Sequence, residues 1–154
     1  MGAYKMKNLS EVGRVYAFKS ARNVYYYAVA GIGGDFLFLD HFSDKIETEF
    51  VESYFLRLFV AYPSIRRAKW KFTGSVISNG EPHEKAFYMQ RPVGADPFVC
   101  DPTTGRSISM APAQAELLET MAVWDASHHI LPILDYHFFR EPTPLANMIK
   151  SKKL

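Results

Sequence analysis

The feature that most constrains the fold is a series of short apolar segments in the first half of the chain, each of strand length. Residues 12–18 alternate apolar and polar side chains, whereas residues 24–30 and 35–40 are rich in aromatic and aliphatic side chains. These patterns are typical of β-strands. The polar residues 20–23 and the glycine-rich residues 31–34 have hairpin length, so the sequence predicts a three-stranded antiparallel meander.

Further strands are predicted beyond this meander. Residues 54–60 form an apolar segment that ends before Pro63, a residue that cannot donate a hydrogen bond to a sheet. Residues 70–76 again alternate in polarity, and residues 98–100 and 106–110 are shorter candidates.

The signals for helices lie in the second half of the chain. Pro112 suits the first turn of a helix, and apolar side chains recur at helical spacing as far as Trp124. The spacing predicts a helix over residues 112–124. A second, short helix is predicted over residues 125–129, before Pro132.

Length and composition place these elements in one domain. The chain has 154 residues, of which 48% are hydrophobic, and this is enough for one core but small for two domains. Its single cysteine, Cys100, excludes an intramolecular disulfide. No apolar run approaches the ~20 residues that span a bilayer, and the N-terminus lacks a signal-peptide pattern, so a cytoplasmic protein is expected. We expect one domain over residues 1–154, with a flexible tail at about 148–154.

The predicted elements together indicate an α+β fold that is rich in β-structure. About five or six strands are expected to form a strongly twisted antiparallel sheet or a partly open barrel. The helix over residues 112–124 is expected to pack across the open side and to cover part of the sheet edge.

Charge is segregated along the chain, although 18 Lys and Arg nearly balance 16 Asp and Glu. Between residues 40 and 52, five carboxylates oppose only Lys45. Such a segment is either a solvated face or a surface that docks on a basic partner, with an aromatic residue as an anchor. The docking hypothesis assigns partner binding to Asp40, Asp44, Glu47, Glu49, Glu52 and Tyr54.

A basic segment follows the acidic one. Single-strand nucleic-acid binders combine cations that hold phosphates with aromatic rings that stack on bases. Residues 57–72 therefore support an alternative hypothesis, a small nucleic-acid-binding domain. Its candidate residues are Arg57, Arg66, Arg67, Lys69 and Lys71, interleaved with Phe59, Tyr62, Trp70 and Phe72.

No motif indicates catalysis. The glycines in residues 31–34 precede a strand, whereas a phosphate-binding glycine loop opens a helix. Adjacent His128 and His129 point in different directions on a regular element and do not readily chelate one metal ion. A Cys100–His83 pair lacks nearby cations to activate the thiol. We expect no catalytic residue, no cofactor and no metal ion.

Several segments resemble a known family. Residues 12–18, 26–30 and 38–42 resemble the opening of the immunity protein 26 family. Residues 58–60, followed by residues 68–74 with a small residue, a lysine, a tryptophan and then a glycine, resemble its second half-motif.

This resemblance covers roughly residues 11–80 and implies a function. Members are α+β proteins encoded beside polymorphic or contact-dependent toxins in bacteria, and they inhibit by binding. It implies a cytoplasmic immunity protein of a contact-dependent growth inhibition system, whose partner is the C-terminal domain of a cognate toxin. If that toxin is a nuclease, its phosphate-binding surface is expected to be basic, and the acidic segment would compete for it.

Overall fold

The computed structural model describes residues 11–149. Along the chain the elements are β1 (Arg14–Lys19), β2 (Tyr25–Ala30), β3 (Phe36–Ser43), β4 (Tyr54–Val60), α1 (Tyr62–Arg67), β5 (Lys71–Val76), β6 (Tyr88–Gln90), β7 (Phe98–Cys100), β8 (Ser107–Ile108), α2 (Pro112–Ala115), β9 (Val123–Trp124) and α3 (Leu131–Phe139). Single 3₁₀ segments occupy Glu81–His83 and Pro144–Met148, and a π-helical turn occupies Ala126–Ile130.

These elements form an α+β fold, as the sequence predicts. A six-stranded sheet has the order β5-β1-β2-β3-β4-β9, and a second sheet has the order β6-β7-β8. The predicted meander is present, because β1, β2, β3 and β4 pair antiparallel in sequence order. One detail differs from the prediction of an antiparallel sheet: the larger sheet is mixed, since β9 pairs parallel with β4. It does not close into a barrel, so of the two predicted forms the open sheet is present.

One face of the larger sheet packs against helical segments. Its inward side chains come from alternate positions of the strands, such as Phe18, Phe36 and Phe38. They pack with Trp70, which stacks on Phe18 at 4.5 Å between ring centroids, and with Ile133 of α3. We call this side the helix-covered face. Its closure is apolar, so the hydrophobic effect dominates its stability.

The opposite face is also buried. Val15, Tyr27, Val29 and Leu37 form a separate cluster there. The connection between β3 and β4 crosses this side, and we call its residues 44–53 the acidic strap and this side the strap-covered face. Burial on both sides explains why β2 and the start of β3 are continuously apolar rather than alternating.

The helix predicted over residues 112–124 is wrong beyond its first turn. Only Pro112–Ala115 is α-helical, and Val123–Trp124 is strand β9. The intervening backbone pairs with β6 instead, because Met89 N–H donates to the Glu119 carbonyl and Met121 N–H donates to the Met89 carbonyl. These long-range hydrogen bonds replace the i→i−4 bonds of a helix, so tertiary structure overrides local propensity.

The helix that packs on the sheet lies further along the chain. The short helix predicted over residues 125–129 corresponds to the π-helical turn, in which the Asp125 carboxylate accepts hydrogen bonds from the amides of Ser127 and His128. Pro132 does not stop the helical region, because it lies in the first turn of α3, where proline is tolerated. A helix does pack on the sheet from the second half of the chain, but it is α3.

Two predictions concern the ends of the chain and its relation to membranes. Residues 150–154 of the expected flexible tail lie outside the described residues, whereas Ile149 is buried against the helix-covered core. Across the part of the chain that the structure describes, no helix combines the length and apolar character needed to cross a bilayer.

Candidate interaction surface

The acidic strap is anchored to the sheet at several points. Phe50 packs its ring on Tyr27, with 4.7 Å between the ring centroids. The Ser75 hydroxyl of edge strand β5 donates to the Thr48 carbonyl. Where the strap returns to the sheet, Asp40 N–H donates to the Ser53 carbonyl at 2.7 Å. The strap is therefore a cover over the strap-covered face and not a loop that projects from it.

The Tyr27 hydroxyl is the central polar anchor of the strap. The Glu47 amide donates to this hydroxyl at 3.0 Å. The same oxygen lies 2.5 Å from Ser43 Oγ and 3.1 Å from the Lys45 carbonyl oxygen. A hydroxyl that rises from inside the sheet thus binds both the start and the middle of the strap.

The strap directs its charged side chains outward. Asp44, Glu49 and Glu52 of the strap are exposed and Glu47 is half-buried, while Asp40, also exposed, lies before the strap in β3. Phe50 lies beneath them, packed against the strap-covered core. The predicted carboxylates therefore lie on one continuous segment at the surface.

Two histidines contact this acidic surface. His41 Nε2 lies 2.5 Å from Glu47 Oε1, and His137 Nε2 lies 2.7 Å from Asp40 Oδ1. His137 comes from α3, and its ring stacks on Phe55 at 3.7 Å with an interplanar angle of 4°. Sequence reasoning missed both histidines as members of the surface. The sequence position of His41 inside the acidic segment could have indicated its contact with the carboxylates. The position of His137 follows only from tertiary packing.

A shallow cavity of about 280 Å³ opens between the end of β3 and the strap. Its lining combines three carboxylates and an imidazole with an aromatic and an aliphatic side chain. Its lining residues are Asp40, His41, Glu47, Glu49, Phe50, Val51 and Ser53. The arrangement offers acceptors for a cationic group beside an apolar wall for its aliphatic stem.

Among residues 11–149, neither Asp44 nor Glu49 forms an ion pair with a Lys or Arg side chain. Lys45, the one cation of the segment, is exposed and also lacks an ion pair in this range. The negative electrostatic potential of these strap carboxylates therefore extends into solvent.

Tyr54 occupies a different environment from the carboxylates assigned with it. It lies in β4 with 7% of its surface exposed, as part of the strap-covered core. Its hydroxyl donates to Glu52 Oε1 at 3.3 Å. Burial, followed by the nearby Glu52 carboxylate, raises the pKa of Tyr54 above its usual value. Its contribution to this surface is the position it gives to Glu52.

The basic segment 57–72 does not form one exposed platform. Arg57 points into the protein and pairs with Asp35, while Trp70 is buried in the helix-covered core. Arg67 is exposed and pairs with Asp125 at 3.2 Å. Phe72 lies 41% exposed, with the Arg14 guanidinium 3.8 Å above its ring.

A buried polar cluster closes the other end of the strap-covered face. Arg57 donates to both carboxylate oxygens of Asp35, at 2.8 and 3.3 Å, and the Tyr88 hydroxyl donates to Asp35 Oδ2 at 2.5 Å. Arg57 also donates to the carbonyls of Glu81 and Glu84. Burial, followed by the Asp35 charge, raises the pKa of Tyr88 well above its usual value. The signal in the sequence was a single arginine inside the apolar segment 54–60.

The residues considered for catalysis are engaged elsewhere. His129 Nδ1 accepts a hydrogen bond from the Asp125 amide at 2.8 Å, and His83 Nε2 donates to the Ile77 carbonyl at 2.7 Å. Cys100 is buried in β7. In residues 11–149, no group of three or more His, Cys, Asp or Glu side chains is arranged to hold a metal ion.

Compared with known proteins, this chain matches no family model, no curated protein and no solved structure.

Proposed function

We propose that this protein is a cytoplasmic immunity protein that binds the C-terminal domain of a cognate bacterial toxin and covers its active or substrate-binding surface. The observation that carries the proposal is the acidic strap, which is anchored on a folded sheet and directs its carboxylates into solvent. The segments that resemble the immunity protein 26 family give the partner class. Under this proposal the protein acts by binding, and it performs no reaction.

The strap contains both kinds of group that a protein interface needs. Carboxylates such as Asp44 and Glu49 would attract a basic partner and raise the association rate. Val51, which is 86% exposed, offers apolar contact area beside them, whereas Phe42 of β3 packs on Phe138 and Phe139 of α3. A few buried aromatic or Arg anchors usually supply most of the affinity, while the surrounding charges set the association rate and select the partner.

A nuclease domain is the toxin class that best fits this surface. Such a domain must bind phosphates, so its working surface carries Lys and Arg side chains. The strap would occupy that surface in place of nucleic acid. The small net charge of +2 does not oppose this, because the local field of the strap acts at the short range set by ionic screening.

The alternative hypothesis, nucleic-acid binding through residues 57–72, has weaker support. It needs cations and aromatic rings on one open face. Arg57 is engaged with Asp35, and Trp70 stacks within the core, so the face would lack these two groups.

The direct test is co-expression with the toxin domain encoded next to this chain. Cells that make the toxin domain should survive when this protein is present, and the two proteins should elute as one complex in size-exclusion chromatography. Continued killing in the presence of folded protein would contradict the proposed function.

A charge reversal tests where the partner binds. Glu49→Lys replaces an exposed strap carboxylate that forms no ion pair among residues 11–149. We expect it to slow association with the toxin domain by about tenfold at low salt, because the steering field reverses locally. Asp96→Lys, an exposed carboxylate between β6 and β7, is the matched control. Equal association rates for the two variants would refute the assignment of the interface to the strap.

A further inference from the structure

We infer that Tyr27 is the positioning residue of the acidic strap, because its buried hydroxyl holds the strap in the conformation that presents the carboxylates. This inference rests on the proposed function, since it concerns how the same surface is preformed before a partner arrives.

The contacts of Tyr27 differ from those of an ordinary core tyrosine. Its ring lies inside the strap-covered core and is 1% exposed. Its hydroxyl accepts the Glu47 N–H and lies within hydrogen-bond distance of Ser43 Oγ and the Lys45 carbonyl oxygen. Three groups separated along the chain thus converge on one oxygen.

The position of this oxygen controls the strap, because the other anchors lie further along it. Beyond Glu47, the Ser75 hydroxyl binds the Thr48 carbonyl and Phe50 packs on the Tyr27 ring. Between Ser43 and Glu47, the contacts with the Tyr27 hydroxyl and the Ser43–Lys45 hydrogen bond hold the backbone. Without the hydroxyl, the backbone from Asp44 to Glu47 would lose this support, while the Glu47 carboxylate would keep its contact with His41.

Preformation matters for binding because a loop that orders only on binding loses conformational entropy at that step. A strap fixed in advance avoids that loss. The partner chemistry that such a surface fits is a cationic one, a protein surface rich in Arg or Lys.

The test compares Tyr27→Phe with Tyr25→Phe. Tyr25 lies two residues away on the same strand, and within the described residues no hydrogen bond to its hydroxyl is present. A glutamate-specific protease reports on the strap, and cleavage after Glu116 in the same digest reports on the rest of the fold. We expect Tyr27→Phe to accelerate cleavage after Glu47 and Glu49 by tenfold or more, with cleavage after Glu116 unchanged and Tyr25→Phe like wild type.

A hexa-arginine peptide serves as the probe for the presented charge. At low ionic strength its Kd should rise about threefold to tenfold in Tyr27→Phe and stay unchanged in Tyr25→Phe. Unaltered strap cleavage in Tyr27→Phe, equal acceleration at all glutamates, or an unaltered Kd would each overturn the inference. Failure of the wild-type protein to bind the peptide would count against the proposed acidic docking surface, whereas the digest alone still decides whether Tyr27 holds the strap.

Discussion

The two faces of the larger sheet are closed by different chemistry. The helix-covered face is sealed by interlocking rings and aliphatic side chains, such as Trp70 stacked on Phe18 and Ile133 of α3. The strap-covered face is sealed by a polar segment at each end, one bound by Arg57 and the other by Tyr27. The first cover directs buried apolar side chains such as Ile133 and Leu134 into the core, whereas the second leaves a row of carboxylates in solvent.

This difference shows how one small domain can combine stability with a charged surface. Apolar packing on one side contributes stability that does not rely on charged groups. On the other side, a few hydrogen bonds to backbone groups hold a segment that itself supplies little apolar area. The side chains of that segment are then available for contact with another molecule.

The largest loss of stability is expected when the buried Arg57–Asp35 ion pair is broken. Asp35→Ala leaves the Arg57 guanidinium buried without its carboxylate, and loss of one partner of a buried ion pair costs about 3–5 kcal/mol. Chemical denaturation measures the change in the free energy of unfolding. Asp96→Ala, at an exposed site, is the control. A loss below about 1 kcal/mol would mean that Arg57 finds another acceptor and that the pair is not needed for closure.

The next largest loss of stability is expected on the helix-covered face. Ile133→Ala removes a fully buried side chain of α3 and should lower the free energy of unfolding by about 3 kcal/mol, because it leaves a cavity. Leu117→Ala, at a site 75% exposed, should change it by less than about 0.5 kcal/mol. Equal effects of the two variants would show that α3 does not seal the sheet.

The smallest loss of stability is expected when the acidic strap loses an apolar contact. Phe50→Ala removes a half-buried ring, so we expect a loss of about 1–2 kcal/mol, below that of Ile133→Ala. The adjacent exposed Val51 gives the control, Val51→Ala. If Phe50→Ala matched or exceeded Ile133→Ala in denaturation, the strap would be a major part of the core, contrary to the contrast between the two covers.

Much of the fold was predictable because it follows from local patterns. The predicted strands 54–60 and 98–100 have the same bounds in the structure, and the meander of β1, β2 and β3 follows its two turns. Strand patterns and turn residues act over a few positions, so they can be read from the chain.

The prediction for residues 112–124 was wrong because the deciding partners were distant. The Met121 N–H donates to the backbone of Met89, and Trp124 pairs with Val60. The apolar residues with helical spacing therefore make two separate contacts and do not form one face of a helix. Likewise, Pro132 marks the beginning of α3, although in sequence it has the features of a stop signal.

For the candidate site, the sequence by itself determined where the carboxylates are and that they would remain solvated, because charge costs too much to bury unpaired. Only the tertiary structure decided that the segment lies across a sheet face, with Tyr27 beneath it and His137 beside it. The physical reason is that these contacts join residues up to 97 positions apart, and their free energy exists only after the chain has brought the strands and α3 together.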